Sequence, residues 1–208
     1  MRSLPFWLIL LALPACASAP EVVAPPSAER PADNWRLLAT EDDRGRIRRW
    51  RGAWTAALAK ARLADAQAVA REGPLLDPDA AIAGVQPPPG DYRCRTIKLG
   101  AVGQSRADFR AGEPSLCRLS SDGARLHLAR ITGAQRPIGI LFPDNRRRMI
   151  FLGTLQLGDE ALAYRYSRDR ERDMIGQFER IGADRWRLVL PYPHFESLLD
   201  VIELVPAR

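Results

Sequence analysis

The sequence predicts an α+β fold in which an N-terminal helix, at about residues 40–72, packs on an antiparallel β meander of about eight strands, barrel-like or strongly curved. Three observations carry that expectation. Apolar residues recur at spacings of three and four in the first part of the chain, and from Gly90 onward they alternate with polar ones. Short links of turn residues separate the alternating segments: Ser121-Asp122-Gly123, Pro143-Asp144-Asn145, Gly158-Asp159 and Gly182-Ala183-Asp184. Links this short leave no room for crossover helices, so neighbouring strands run antiparallel.

The helix places Ile47, Trp50, Trp54, Leu58, Ala61, Ala64 and Ala68 on one stripe. Thr40 caps it, Glu41, Asp42 and Asp43 sit at the positive end of its dipole, and Gly73 and Pro74 stop it. A shorter helix is expected next, with Asp77 as cap, Pro78 in its first turn and Gly84 after its end. Strands are expected at 92–99, 125–131, 138–142, 149–157, 162–166, 175–181, 185–190 and 199–205. So many strands in so short a chain stack in two layers or curl into a barrel, because a flat sheet would expose a face and its edges. Trp186, Leu188 and Leu190 point one way along their strand while Arg187 and Val189 point the other. Phe178, Tyr164 and Tyr166 are expected to fill the same interior.

Residues 1–16 read as a secretory signal, with Arg2, an apolar run over 4–13 and small residues after it. That run is too short for a membrane span, which needs roughly 20 apolar residues. Leu13-Pro14-Ala15-Cys16 resembles a bacterial lipobox, which would make Cys16 a lipid anchor and hold the protein on the periplasmic side of the outer membrane. The alternative is an ordinary cut after Ala17 or Ala19 and a soluble periplasmic protein. Residues 17–34, rich in Pro and Ala, read as a disordered tether, and 35–208 as a single globular domain, helical over 35–84 and β over 90–208. With Cys16 taken as anchor, Cys94 and Cys117 remain as an even pair and read as a disulfide; the alternative is two separately buried thiols.

The net charge is +6, and of the 31 basic residues only Lys60 and Lys98 are lysines. Acids lie among the arginines, so the surface reads as solvated rather than as one basic field. An exported protein does not meet nucleic acid. The partners expected are the membrane, through the anchor, and an anionic envelope ligand or an envelope protein.

His127 and His194 are the only histidines and lack the spacing of a zinc site, so no metal and no cofactor are expected. Ser105 lacks the context of an activated nucleophile, and Gly100 to Gly103 is too sparse for a phosphate loop. Trp50 and Trp54 could form an aromatic platform beside Arg46, Arg49 and Arg51, but their place on the apolar stripe favours core anchors. The dense polar run 165–173 reads as a solvated hairpin. A sharper reading joins Arg172 and Asp173 to Gln135 and Arg136 in a ligand-binding cluster at one rim of the sheet.

Tyr92-Arg93-Cys94-Arg95 with Ile97 to Gly100, Thr132-Gly133 with Gln135-Arg136, Arg172-Asp173-Met174 with Gly176 and Phe178 to Gly182, and the ending from Glu196-Ser197 to Pro206 resemble a family of exported Gram-negative bacterial proteins defined as a domain of unknown function. The resemblance runs from about Trp35 to Pro206 and implies no activity and no catalytic residue. The expected function is a non-enzymatic envelope module that binds a small amphipathic or anionic ligand or an envelope protein. The alternative is a hydrolase acting on an envelope polymer, with Asp173 or Glu179 as acid or base and Arg136 or Arg172 holding the anion.

Overall fold

The computed structural model describes residues 34–103, 107–123 and 125–207; the expected leader, Cys16, the expected tether up to residue 33 and Ser105 lie outside the described residues, while Asn34 caps the first helix, its side chain accepting from the Arg36 N–H at 3.0 Å. Three helices come first: α1 (Trp35–Leu38), α2 (Glu41–Arg48) and α3 (Trp50–Arg71). Thr40 caps α2, its Oγ1 accepting from the Asp43 N–H at 3.2 Å. The single helix expected at 40–72 is thus two, broken at Arg49 (φ −94°, ψ 13°). The break lets the two helices cover different strands. A second irregularity at Asp65, whose carboxylate accepts from the Ala68 N–H at 2.8 Å, shifts the apolar stripe, so Ala64 is exposed while Ala68 and Val69 are buried. No described helix is long and apolar enough to cross a membrane.

The second helix expected after Asp77 does not form. A 3₁₀ turn (Gly73–Leu76) ends the helical region, and the chain then runs extended, through Pro87, Pro88 and Pro89, which disfavour helix in their predecessors.

Nine strands follow: β1 (Gly90–Ala101), β2 (Phe109–Ala111), β3 (Ser115–Ser121), β4 (Leu126–Arg130), β5 (Gln135–Asn145), β6 (Arg148–Leu157), β7 (Asp173–Gly182), β8 (Arg185–Pro191) and β9 (Ser197–Pro206). All pairings are antiparallel, and β1 pairs with β9 from Tyr92 to Ala101, closing β1, β3 and β4 to β9 into an eight-stranded barrel. The extra strand β2 lies on the upper half of β1, beside Ile97 to Leu99, where β3 has already left it. No strand forms at 162–166. That stretch belongs to a long loop, and Tyr166 crosses to α2, where its hydroxyl donates to Asp43 and accepts from the Thr40 N–H at 3.0 Å.

The barrel has a packed lower half. Val85 enters that end from the extended segment, the Trp186 indole N–H donates to the Val85 carbonyl at 2.9 Å, and the Tyr92 hydroxyl donates to the Pro88 carbonyl at 2.7 Å. Phe151, Phe178, Met149, Leu119 and Leu204 complete this core. Gly139 and Gly153 face each other across β5 and β6, where a Cβ on either would come within 2.3 Å of backbone carbonyl oxygen, so the bend there demands glycine.

Cys94 and Cys117 form a disulfide between β1 and β3, buried inside the barrel. Replacing both with Ser is expected to cost about 3 kcal/mol, from the loop freed in the unfolded chain and the polar atoms left in an apolar site. Urea denaturation of the double variant measures it.

Outside the barrel, Trp54, Leu58 and Ala61 of α3 pack on Ile97, Val189, Leu199 and Val201, while Trp35 and Ile47 pack on Phe142, Ile150 and Ile175. These helices seal the outer face of most of β5 to β9 and of β1. Among the described residues, no helix covers the upper end of the barrel.

Candidate ligand-binding cavity

At the upper end the inward positions change character. Below stand Tyr92, Phe178 and Trp186; above them on the same faces stand Thr96 and Lys98 of β1, Arg130 of β4, Gln135 and Pro137 of β5, and Asp200 of β9. Shorter and polar side chains leave a cavity of about 460 Å³, open to solvent, with Leu155, Met174, Leu190 and Ile202 at its apolar base.

One wall has a gap. The β7–β8 ladder stops at Gln177 and Val189, and above it the strands separate. Arg46 of α2 fills the opening: its guanidinium donates to the Asp173 carbonyl at 2.8 Å and to the Tyr192 carbonyl at 3.3 Å, and it is paired with the fully buried Asp43. The non-glycine residues described with left-handed backbone, Ser167, Tyr192 and Glu196, all lie in loops at this end. Such strain gathers where a site is held in shape.

The basic side chains of the cavity are nearly all matched. Lys98 pairs with Asp200 at 2.9 Å and Glu196 at 3.4 Å, and Arg110 pairs with Glu196 at 2.6 Å. Burial pushes the Asp200 carboxyl above its ordinary value, against the opposing pull of Lys98 and the Ser197 hydroxyl. Arg130 differs. Its Nε donates to the Thr132 carbonyl and its Nη1 to the Thr96 hydroxyl, both at 3.0 Å, and among the described residues no carboxylate lies within ion-pair distance. Burial alone pushes its guanidinium below the usual arginine value.

Of the four residues expected at a ligand-binding rim, Gln135, Arg172 and Asp173 line the cavity and Arg136 does not. Arg136 is out of phase with Gln135 and Pro137. Its guanidinium clamps the following loop by donating to the carbonyls of Leu157 (2.9 Å), Glu160 (3.0 Å), Gly158 (3.2 Å) and Gly133 (3.3 Å). Arg172 pairs with Glu160 and with Asp169 at 3.4 Å and lies over the Tyr164 ring, so its charge is already matched. Glu179, the other carboxylate weighed for catalysis, is not at the cavity: it is buried under the 3₁₀ turn, held by Arg187 at 2.7 Å and Arg148 at 3.0 Å.

Asp173 accepts from the Ser167 N–H at 2.8 Å through Oδ1, while Oδ2 is buried with no partner. Burial pushes its carboxyl above the ordinary range. A raised carboxyl stabilises the fold below its unfolded value, near 4, and that contribution is lost as pH rises through the folded value. Asp173→Asn keeps the Oδ1 acceptor and removes the titration. It is therefore expected to raise the melting temperature at pH 7 relative to the parent and to change it little at pH 4, as read by thermal scans at the two pH values.

His194 stands at the cavity rim, 4.0 Å from Asp42, and burial pushes its imidazole down; His127 pairs with Asp122 at 2.9 Å, at the other end of the barrel. Among the described residues no three His, Cys, Asp or Glu side chains converge as a metal site. Trp54 is buried against Arg187, and Trp50 is covered by Arg51 and Arg148, so neither offers a free ring face.

Sequence reasoning missed Thr96, Lys98, Arg130 and Asp200. The signal for them was phase: Lys98 is in step with Tyr92 and Cys94, Arg130 with Leu126 and Leu128, and Asp200 with Ile202 and Leu204. A charge on the apolar phase of a strand marks a wet part of the interior.

Among curated proteins and among solved structures, no match to the chain is found. The family described as "Domain of unknown function (DUF4893)" matches residues 35–204, from the start of α1 to within two residues of the end of β9, and the chain belongs to that family.

Proposed function

We propose that this protein is a non-enzymatic binding module of the bacterial envelope that holds a small amphipathic ligand in the open end of its barrel. The observation that carries the reading is the asymmetry of the interior: one end is plugged and packed, while the other keeps a cavity of about 460 Å³ with an apolar base and a polar wall. Such a site buries the apolar part of a ligand and orients its polar part. The hydrolase alternative has less support. Glu179 is remote and fully paired, and the free oxygen of Asp173 is sealed from the cavity, so neither is placed to pass a proton to a substrate.

The leader and the lipid anchor on Cys16 belong to the same proposal. Lipidated protein partitions with membranes, and Cys16→Ala releases it or blocks its maturation. The binding role is tested by purifying the protein from envelopes under mild conditions and recording its native mass. The expected result is a non-covalent adduct of a few hundred daltons that is lost on unfolding. Bare protein that also captures nothing from an envelope lipid extract contradicts the proposal.

A further inference from the structure

The chemical class of the ligand can be narrowed, an inference that rests on the cavity being a binding site. We infer that the cavity takes a monoanionic carboxylate amphiphile of medium length, its head on the Arg130 guanidinium and its chain over Leu155, Met174, Leu190 and Ile202.

Charge matching sets the head group. Five basic side chains other than histidine line the cavity, and four face acids: Arg46 with Asp42 and Asp43, Lys98 with Asp200 and Glu196, Arg110 with Glu196, Arg172 with Glu160 and Asp169. Arg130 alone among these has no carboxylate, although it is half-buried and burial depresses its pKa. A desolvated cation without a counter-charge is costly unless something fills that role. Two of its five N–H groups are engaged, by the Thr132 carbonyl and the Thr96 hydroxyl, which fix the guanidinium plane and leave one side of the fork for a ligand. A planar carboxylate fits such a fork. One uncompensated positive charge calls for one negative charge. A dianionic phosphate monoester would bring an excess, next to Glu113 and Glu171, which are exposed at the same mouth.

A cavity of about 460 Å³ lies in the range that takes a small ligand, and dodecanoate serves as a probe of medium length.

The test is calorimetric titration of delipidated protein at pH 7.5 with dodecanoate, dodecan-1-ol and dodecyl phosphate, each below its micellar concentration. Dodecanoate is expected to bind at least tenfold more tightly than the alcohol and more tightly than the phosphate. Arg130→Gln is expected to lose at least tenfold for dodecanoate and much less for the alcohol, whose neutral hydroxyl gains little from the charge. Arg130→Lys keeps the charge and loses the fork, so it recovers only part of the affinity. Thr96→Val, which releases the guanidinium without altering its charge, weakens dodecanoate alone and serves if Arg130→Gln does not fold. Equal affinity for acid and alcohol, or unchanged dodecanoate binding by the Arg130 and Thr96 variants, overturns the head-group assignment and leaves the cavity reading standing. Tighter binding of dodecyl phosphate overturns the monoanion. Failure of all three probes to bind overturns the cavity reading itself.

Discussion

Arg187→Met is expected to destabilise the fold by about 3 kcal/mol, because the buried Glu179 carboxylate keeps only the partly exposed Arg148 as a cation. Arg187 is fully buried on the outer face of β8, in phase with Val189 rather than with the interior residues Trp186 and Leu188. Its guanidinium does two jobs. It holds Glu179 of β7 at 2.7 Å, and it donates to the carbonyls of Pro74 (3.1 Å), Leu75 (2.9 Å) and Asp77 (2.7 Å), satisfying the chain where α3 gives way to the 3₁₀ turn. Methionine matches its length but supplies no donor, so the Leu75 carbonyl and half of the Glu179 carboxylate lose their partners, while the Pro74 and Asp77 carbonyls keep only the N–H groups of Asp77 and Ala80. The double variant Arg187→Met, Glu179→Gln takes the charge off the buried oxygen that Arg187 held, although it also takes the acid from Arg148, and is expected to regain part of the loss. Urea unfolding of both variants reads the difference. A single variant as stable as the parent would mean that water replaces the guanidinium and that the turn is not sealed.

Arg46→Met is expected to cost about 3 kcal/mol or more and, unlike the Arg187 variant, to disturb the cavity. Asp43 is fully buried and would keep only the Tyr166 hydroxyl and its own helix end as partners. The bridge from the Asp173 carbonyl to the Tyr192 carbonyl would vanish where the β7–β8 ladder has already stopped, so backbone groups on both sides lose their donor. Hydrogen exchange should quicken at residues 173–176 and at Leu190 and Tyr192 while the β1–β9 seam stays protected. Uniform acceleration across the barrel would show instead that Arg46 supports the whole fold rather than this wall.

The barrel was legible because an antiparallel meander writes its period into the chain: Trp186, Leu188 and Leu190 do face the interior, and Arg187 and Val189 do face outward. Closure was not legible, since nothing local says that β1 and β9, about a hundred residues apart, will pair. β2 and β3 were missed because Gly112-Glu113-Pro114 interrupts them and because β3 carries Ser and Arg where it meets solvent. The strand expected at 162–166 failed for the opposite reason: Tyr164 and Tyr166 have strand propensity, but one lies beneath Arg172 and the other is drawn to Asp43 on α2. Gln135, Arg172 and Asp173 line the cavity because they stand at or beside strand entrances at the same end of the barrel, a placement the sequence pattern carries. Arg130 shares the apolar phase of Leu126 and Leu128, but a charge at the end of that phase fits an exposed strand end as well as a wet interior until the barrel closes around it.

The claim that a ligand enters the upper end of the barrel is tested most directly with the two methionines of the barrel. Met174 lines the base of the cavity, and Met149 lies in the packed core below it. In protein labelled with ¹³C at the methionine methyls, titration with dodecanoate is expected to shift the Met174 resonance in proportion to occupancy and to leave Met149 in place. Binding seen by calorimetry with Met174 unmoved, or with both methyls moving alike, would contradict the account.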